Sequence, residues 1–146
     1  MEAMDRLDAT VKDLAGYMAS LAPEKLAPST RQQWGAREVF IHLVFWHEEY
    51  ARITRERLSG QEPRVIPGTH IEINALAVEH YRDLPVDELI DKLLKAQAGL
   101  LLMYEQAKDL RIAFKQHGAV LPFSEMVEDI EKHIRSHLER LKKRYH

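Results

Sequence analysis

Two histidines four residues apart, His133 and His137, stand in the segment EDIEKHIRSHLERLKKRYH. Residues four apart on an α-helix share a face, one turn above the other. Such a pair can hand two imidazole nitrogens to one cation, each at about 2 Å for Zn²⁺. Eight histidines in a chain of 146 residues make the spacing common by chance. Spacing alone therefore leaves two readings open, an arm of a metal site or a solvated helix face.

The apolar pattern separates them. Val127, Ile130, Ile134, His137 and Leu141 step along one stripe, so His137 takes a seam slot that a simple bundle fills with Leu. His133 lies one turn before it, at the edge of the seam. A half-buried imidazole needs partners for its nitrogens, and that favours a functional pair.

A third imidazole comes from EVFIHLVFWHEEY. His42 lies between Val39 and Trp46 on an apolar stripe and so borders the core. His47, five residues on, is turned about 140° away, and one cation does not easily take both. Suppose the helices carrying His42 and His137 are antiparallel. His42 then lies about 10 Å from the start of its helix and His137 about 12 Å from the end of its own, at about 1.5 Å per residue. The three imidazoles stand at one height and face one interior point, as a tris-imidazole site with open positions requires.

These side chains need a helical frame, and periodicity near 3.6 runs through the chain while strand-like alternation is missing. The pattern predicts a first helix over 3–21, a second over 35–58, a short one over 71–81, a third long one opened by DLPVDELIDKL, and a fourth over 124–145. Asp83 is expected to cap the third long helix, with Pro85 in its first turn. Four long helices in one small domain predict an all-α four-helix bundle. The long connection from Ser59 to Pro85 can cross the whole bundle, so the second and third long helices can run parallel.

Composition sets the class. The length suits one domain with a real core. A formal net charge of −2 gives no reason to expect nucleic acid or an anionic membrane as partner. The absence of Cys excludes disulfides, thiolate ligands and Cys nucleophiles. MEAMDRLDAT carries acids and no apolar run, so no signal peptide is expected, and no stretch is long and apolar enough to span a membrane. A cytoplasmic protein is the expectation.

With WGAREVFIHL, where Trp34 and His42 stand eight apart, and the HxxxH of His133 and His137, the chain resembles the DinB/YfiT-like superfamily of four-helix-bundle metalloenzymes. The resemblance implies an up-down-down-up bundle, often dimeric, with His42, His133 and His137 as metal ligands. The stretch HIEINALAVEHYRDLPVDELIDKLLKAQAGLLLMYEQ looks most like the ClbS/DfsB branch. Members of that branch are associated with detoxifying a genotoxic natural product without depending on a His triad. The triad kept here favours the metal-site reading.

Other residues carry weaker signals. HEEYA at His47 is not HExxH, because Ala51 stands where a second His would be, so His47 is expected at the surface or supporting the ligands. Glu49 and Tyr50 are the candidate catalytic residues. Glu48 and Glu131 can orient a ligand imidazole or act as bases, although solvated helix carboxylates are the plainer reading. Trp46 and Asn74 are candidates for the pocket or for support of the ligands. His70, His80 and His117 fall in or near connections, and His146 is terminal.

The leading expectation is a metal-dependent enzyme, hydrolase or thiol-transferase/isomerase in type, acting on a small molecule with one divalent Zn, Ni or Fe ion. The second is a metal-free protein of the ClbS/DfsB type that binds or hydrolyses an electrophilic natural product. The third is a structural or interaction bundle.

Overall fold

The computed structural model describes residues 2–29, 34–115 and 118–145, so His117 and His146 lie outside the described residues. The first helix, α1, covers Glu2–Ser20 and buries Leu7, Val11, Leu14 and Met18 at helical spacing. Pro23 opens a single 3₁₀ turn, Pro23–Leu26, that carries the chain away from it.

Helix α2 covers Ala36–Leu58. The Glu38 carboxylate reaches back to accept the Gly35 N–H at 2.8 Å, which satisfies a donor that the first turn leaves unpaired. Helix α2 is buried on most of its surface, from Phe40, Ile41 and Val44 to Trp46 and Ile53. Helix α3, His70–Tyr81, begins with a capping box in which Glu72 N–H donates to Thr69 Oγ1 at 3.2 Å. It buries only Ile73 and Ala77.

Helix α4 covers Val86–Ala107 with Pro85 at its cap position. Asp83 is not the cap. Proline disfavours helical geometry in the residue before it, so Asp83 and Leu84 stay outside the helix. A two-residue antiparallel pair follows, β1 (Arg111–Ile112) with β2 (Leu121–Pro122), Ile112 facing Leu121. Sequence alternation did not announce so short a pairing. It pins the ends of the loop that carries Phe114 and Lys115. The last helix, α5, covers Phe123–Tyr145 and places Lys142, Lys143 and Arg144 at its negative end.

Side-chain contacts give the helix directions. Arg37 at the start of α2 donates to the Arg82 carbonyl at 3.0 Å and to that of Leu84, just before α4, and His47 meets Gln97 further along. Helices α2 and α4 are therefore parallel. So are α1 and α5, since Thr10 bonds Glu131 and Tyr17 bonds the Leu141 carbonyl. Met4 and Asp8 of α1 meet Gln97 of α4, while Met18 shares a groove with Val86 and Ile90, so that pair is antiparallel. Ala36 N–H donates to the Tyr145 hydroxyl at 3.1 Å, which makes α2 and α5 antiparallel as well. The four long helices form an up-down-down-up bundle, and the connection through α3 spans its length. Each fully buried Leu, Ile, Phe or Met of the shared core contributes about 1.5–3 kcal/mol of transfer free energy. Among the described residues, no helix is long and apolar enough to cross a membrane.

Candidate metal centre

The antiparallel pairing of α2 and α5 brings three imidazoles together. One nitrogen from each of His42, His133 and His137 lies within 4.8 Å of the other two. Ring centroids are 5.5 Å apart for His42 and His133, 5.3 Å for His42 and His137, and 4.7 Å for the HxxxH pair. The Trp34 ring stands 5.5 Å from His42. Among the described residues this is the one His, Asp and Glu group arranged to hold a cation.

The cluster sits on the flank of the bundle, not at an interior point. His42 is buried, His137 half-buried and His133 exposed. The sequence stripe gave His137 a seam slot, but Leu138, four residues after Ile134, fills it. His137 is turned about 100° from that slot. The pair therefore lines a rim open to solvent, where a small molecule can approach.

Hydrogen bonding fixes the proton on His42. Trp46 Nε1 can only donate, and it meets Asn74 Oδ1 at 2.6 Å. The same oxygen lies 3.0 Å from His42 Nδ1. An oxygen that accepts from both requires His42 to carry its proton on Nδ1. The lone pair is thereby left on Nε2, the nitrogen not engaged by Asn74. A ligand imidazole held by a carbonyl oxygen in this way has its tautomer and ring angle set in advance.

His133 Nε2 and His137 Nε2 are 3.1 Å apart. Two imidazoles at that distance share one proton between two nitrogens. Two nitrogens bound to one tetrahedral cation stand about 3.3 Å apart when each is about 2.05 Å from it. The HxxxH pair therefore matches two ligands of one divalent ion, and the His42 nitrogen lies within 4.8 Å of both. Arg140 Nη2 lies 3.4 Å from His137 Nδ1, a long contact from an exposed side chain.

All three imidazoles are held neutral. His42 is pushed down to about 4, chiefly by burial, with the Asn74 bond opposing and the charges of His133, Lys115 and His70 assisting. His137 is pushed down to about 4 by burial, then by His133, His42 and Arg140. His133 is lowered by burial, Lys115 and Arg140.

Other predicted residues fall elsewhere. His47 is neither at the surface nor beside the cluster. It is wholly buried on the side of α2 that packs on α4, with Nε2 2.8 Å from Gln97 Oε1. Glu49 is held by Arg52 at 2.6 Å and 3.2 Å, one bond to each of its oxygens. Glu48 accepts from the Tyr81 hydroxyl and faces Lys92 at 3.8 Å. Glu131 accepts from Thr10 at 2.8 Å and pairs with Arg135 at 3.2 Å, facing α1. Tyr50 does reach the region. It lines a cavity of about 300 Å³ together with His133, Phe114, Leu121, Met126 and Ile130. Burial pushes its phenol up to about 12, so it is a neutral donor there and not a base. A second cavity of about 360 Å³ is lined by Trp46, His70 and Ile73.

Sequence reading passed over Gln97 and Lys115. Gln97 stands four after Leu93 and three before Leu100, a polar residue in an apolar seam, and that signal was present. Lys115 is a lysine in a loop, and nothing in its spacing marked it.

No protein-family model matches the chain, and no curated protein or solved structure matches it either.

Proposed function

We propose that His42, His133 and His137 hold one divalent ion, Zn²⁺, Ni²⁺ or Fe²⁺, and that the chain is a DinB-like metal-dependent enzyme acting on a small molecule as a hydrolase or thiol-transferase/isomerase. The observation that carries this reading is the Trp46–Asn74–His42 chain. Its two hydrogen bonds leave the Nε2 lone pair free on an imidazole that stands beside two others. A solvated helix face has no need of that arrangement. The up-down-down-up order supports the same assignment.

When bound, a divalent ion supplies Lewis acidity, acidifying water or a thiol or polarising a carbonyl. The chain's residues do the rest. The three neutral imidazoles offer lone pairs without proton loss near neutral pH. The Tyr50 hydroxyl and the apolar cavity wall orient a substrate against His133 and exclude water from its body. If His137 held an ion through Nε2, its Nδ1 would carry the proton and would no longer accept from Arg140.

Untagged protein titrated with each ion and analysed for metal content is expected to bind about one ion per chain, since three imidazoles define one mononuclear site. Negligible uptake of Zn²⁺, Ni²⁺ and Fe²⁺ alike ends the metal reading and favours metal-free binding of an electrophile in the same cleft.

A further inference from the structure

Resting on that metal reading, we propose that Lys115 is the anion-binding residue of the site and that the substrate is a small organic anion with an apolar body. Two cavities, one reaching His133 of the cluster and the other reaching Trp46, are both lined by Lys115 and Gly118. Lys115 thus stands where they meet. Its Nζ lies 5.6 Å from the centre of the Trp46 ring, and Trp46 is the residue that orients Asn74 on His42. Among the described residues no carboxylate pairs with this ammonium. Glu48, Glu49 and Glu131 are each engaged elsewhere. The exposed Asp129 is the single acid on the wall of the first cavity, and Glu72 on the second is tied to Thr69.

Charge balance points the same way. Three neutral imidazoles leave both positive charges of a divalent ion uncompensated by protein, and Lys115 adds a third. A positive site with an apolar wall of Phe114, Leu121, Met126 and Ile130 selects an anion whose carbon body can leave water.

The backbone of Lys115 is tied to Gly118. Gly118 N–H donates to the Lys115 carbonyl at 3.2 Å, and a Cβ at Gly118 would come within 3.1 Å of Lys115 Cβ. The β1–β2 pair anchors both ends of the loop.

Calorimetric titration of the full chain with hydrocinnamate and with its neutral amide tests the proposal, in metal-free and in Co²⁺-loaded protein. The acid is expected to bind about tenfold more tightly than the amide. Lys115→Met should lower that ratio by about fivefold or more in both states, while Lys115→Arg keeps it within about twofold. Lys115 is exposed, so neither variant threatens the fold. A ratio near one in the unaltered chain, no binding of hydrocinnamate, or a ratio that Lys115→Met leaves unchanged in both states overturns the proposal. Failure to take up Co²⁺, with a metal-free ratio that still responds to Lys115→Met, removes the metal reading and leaves the anion site standing.

Discussion

His42 and His47 stand five residues apart on one helix, and both are pushed down to about 4 by burial. Their surroundings make them different chemical objects. His42 donates its Nδ1 proton to Asn74 on the flank of the bundle and keeps a lone pair free beside two more imidazoles. His47 lies among core residues. Gln97 donates its amide to Asp8 at 3.3 Å, so its carbonyl oxygen faces His47 Nε2 and accepts the hydrogen bond from that N–H. The Nδ1 of His47 is left buried without a partner. An orphan acceptor of this kind costs about 1–3 kcal/mol. The lesson is that the surroundings of the spare lone pair, and not the residue type or the perturbed pKa, separate a candidate ligand histidine from an interior one.

The strongest way to break this comparison is to remove each imidazole in turn. Alanine at His42, His133 or His137 should weaken Co²⁺ or Zn²⁺ binding by at least about 100-fold, and at the less buried His133 and His137 it should leave unfolding by urea little changed. His47→Ala should do the reverse. It leaves a cavity and an unpaired Gln97 oxygen in the core, costing about 2 kcal/mol of stability, with metal affinity within about threefold. Metal titration and urea unfolding on the same four variants check both columns. Abolished metal binding in His47→Ala alongside intact binding in His42→Ala would reverse the assignment of the two faces.

Much of this was legible in the sequence, for physical reasons that differ by element. The helices and their order follow from apolar periodicity and from one connection too long for a tight turn. The facing of His42 and His47 follows from 100° per residue. The common depth of the imidazoles follows from helix rise if α2 and α5 are antiparallel. The rest depended on contacts between segments distant in the chain. Asn74 reads equally well as a cap until α3 docks on α2. The seam of α5 drifts, because 3.6 residues per turn lets Leu138 and His137 both fit a stripe drawn by eye. Glu49 looks free until Arg52 folds back on it, and Lys115 acquires meaning only when two cavities meet beside it.

Acidification sharpens the comparison next. Burial alone lowers the His47 pKa, with its Gln97 bond opposing, whereas an unfolded imidazole titrates near 6.5. Below that value the unfolded chain takes a proton that the folded chain refuses. Stability is therefore complete above about pH 6.5 and falls toward about pH 4, with roughly 3 kcal/mol of the loss belonging to His47. In His47→Leu this limb of the stability profile should flatten by about one proton's slope. Saturating Zn²⁺ should protect the flank imidazoles of the unaltered chain from the same competition and leave the His47 share in place. Urea midpoints across that pH range read both effects, and an identical slope in His47→Leu and the unaltered chain would show that His47 is not the group refusing the proton.

The smallest expected effects test why His42 is poised at all. Asn74→Leu removes the acceptor that fixes the Nδ1 proton and should weaken metal binding by about 10-fold to 100-fold. Trp46→Phe keeps an aromatic ring beside Tyr50 but deletes the N–H that determines which end of the Asn74 amide faces His42. The amide can then turn its NH₂ toward His42, which favours the opposite tautomer and moves the lone pair to the wrong nitrogen. A loss of only about threefold is expected, because the original orientation remains accessible. The decisive measurement is the double variant. If Trp46 acts through Asn74, then Trp46→Phe adds nothing once Asn74 is Leu, and the two losses fail to multiply. Equal losses from Trp46→Phe in both backgrounds, read by Co²⁺ titration, would mean that Trp46 supports the cluster by packing alone, and the tautomer of His42 would need another cause.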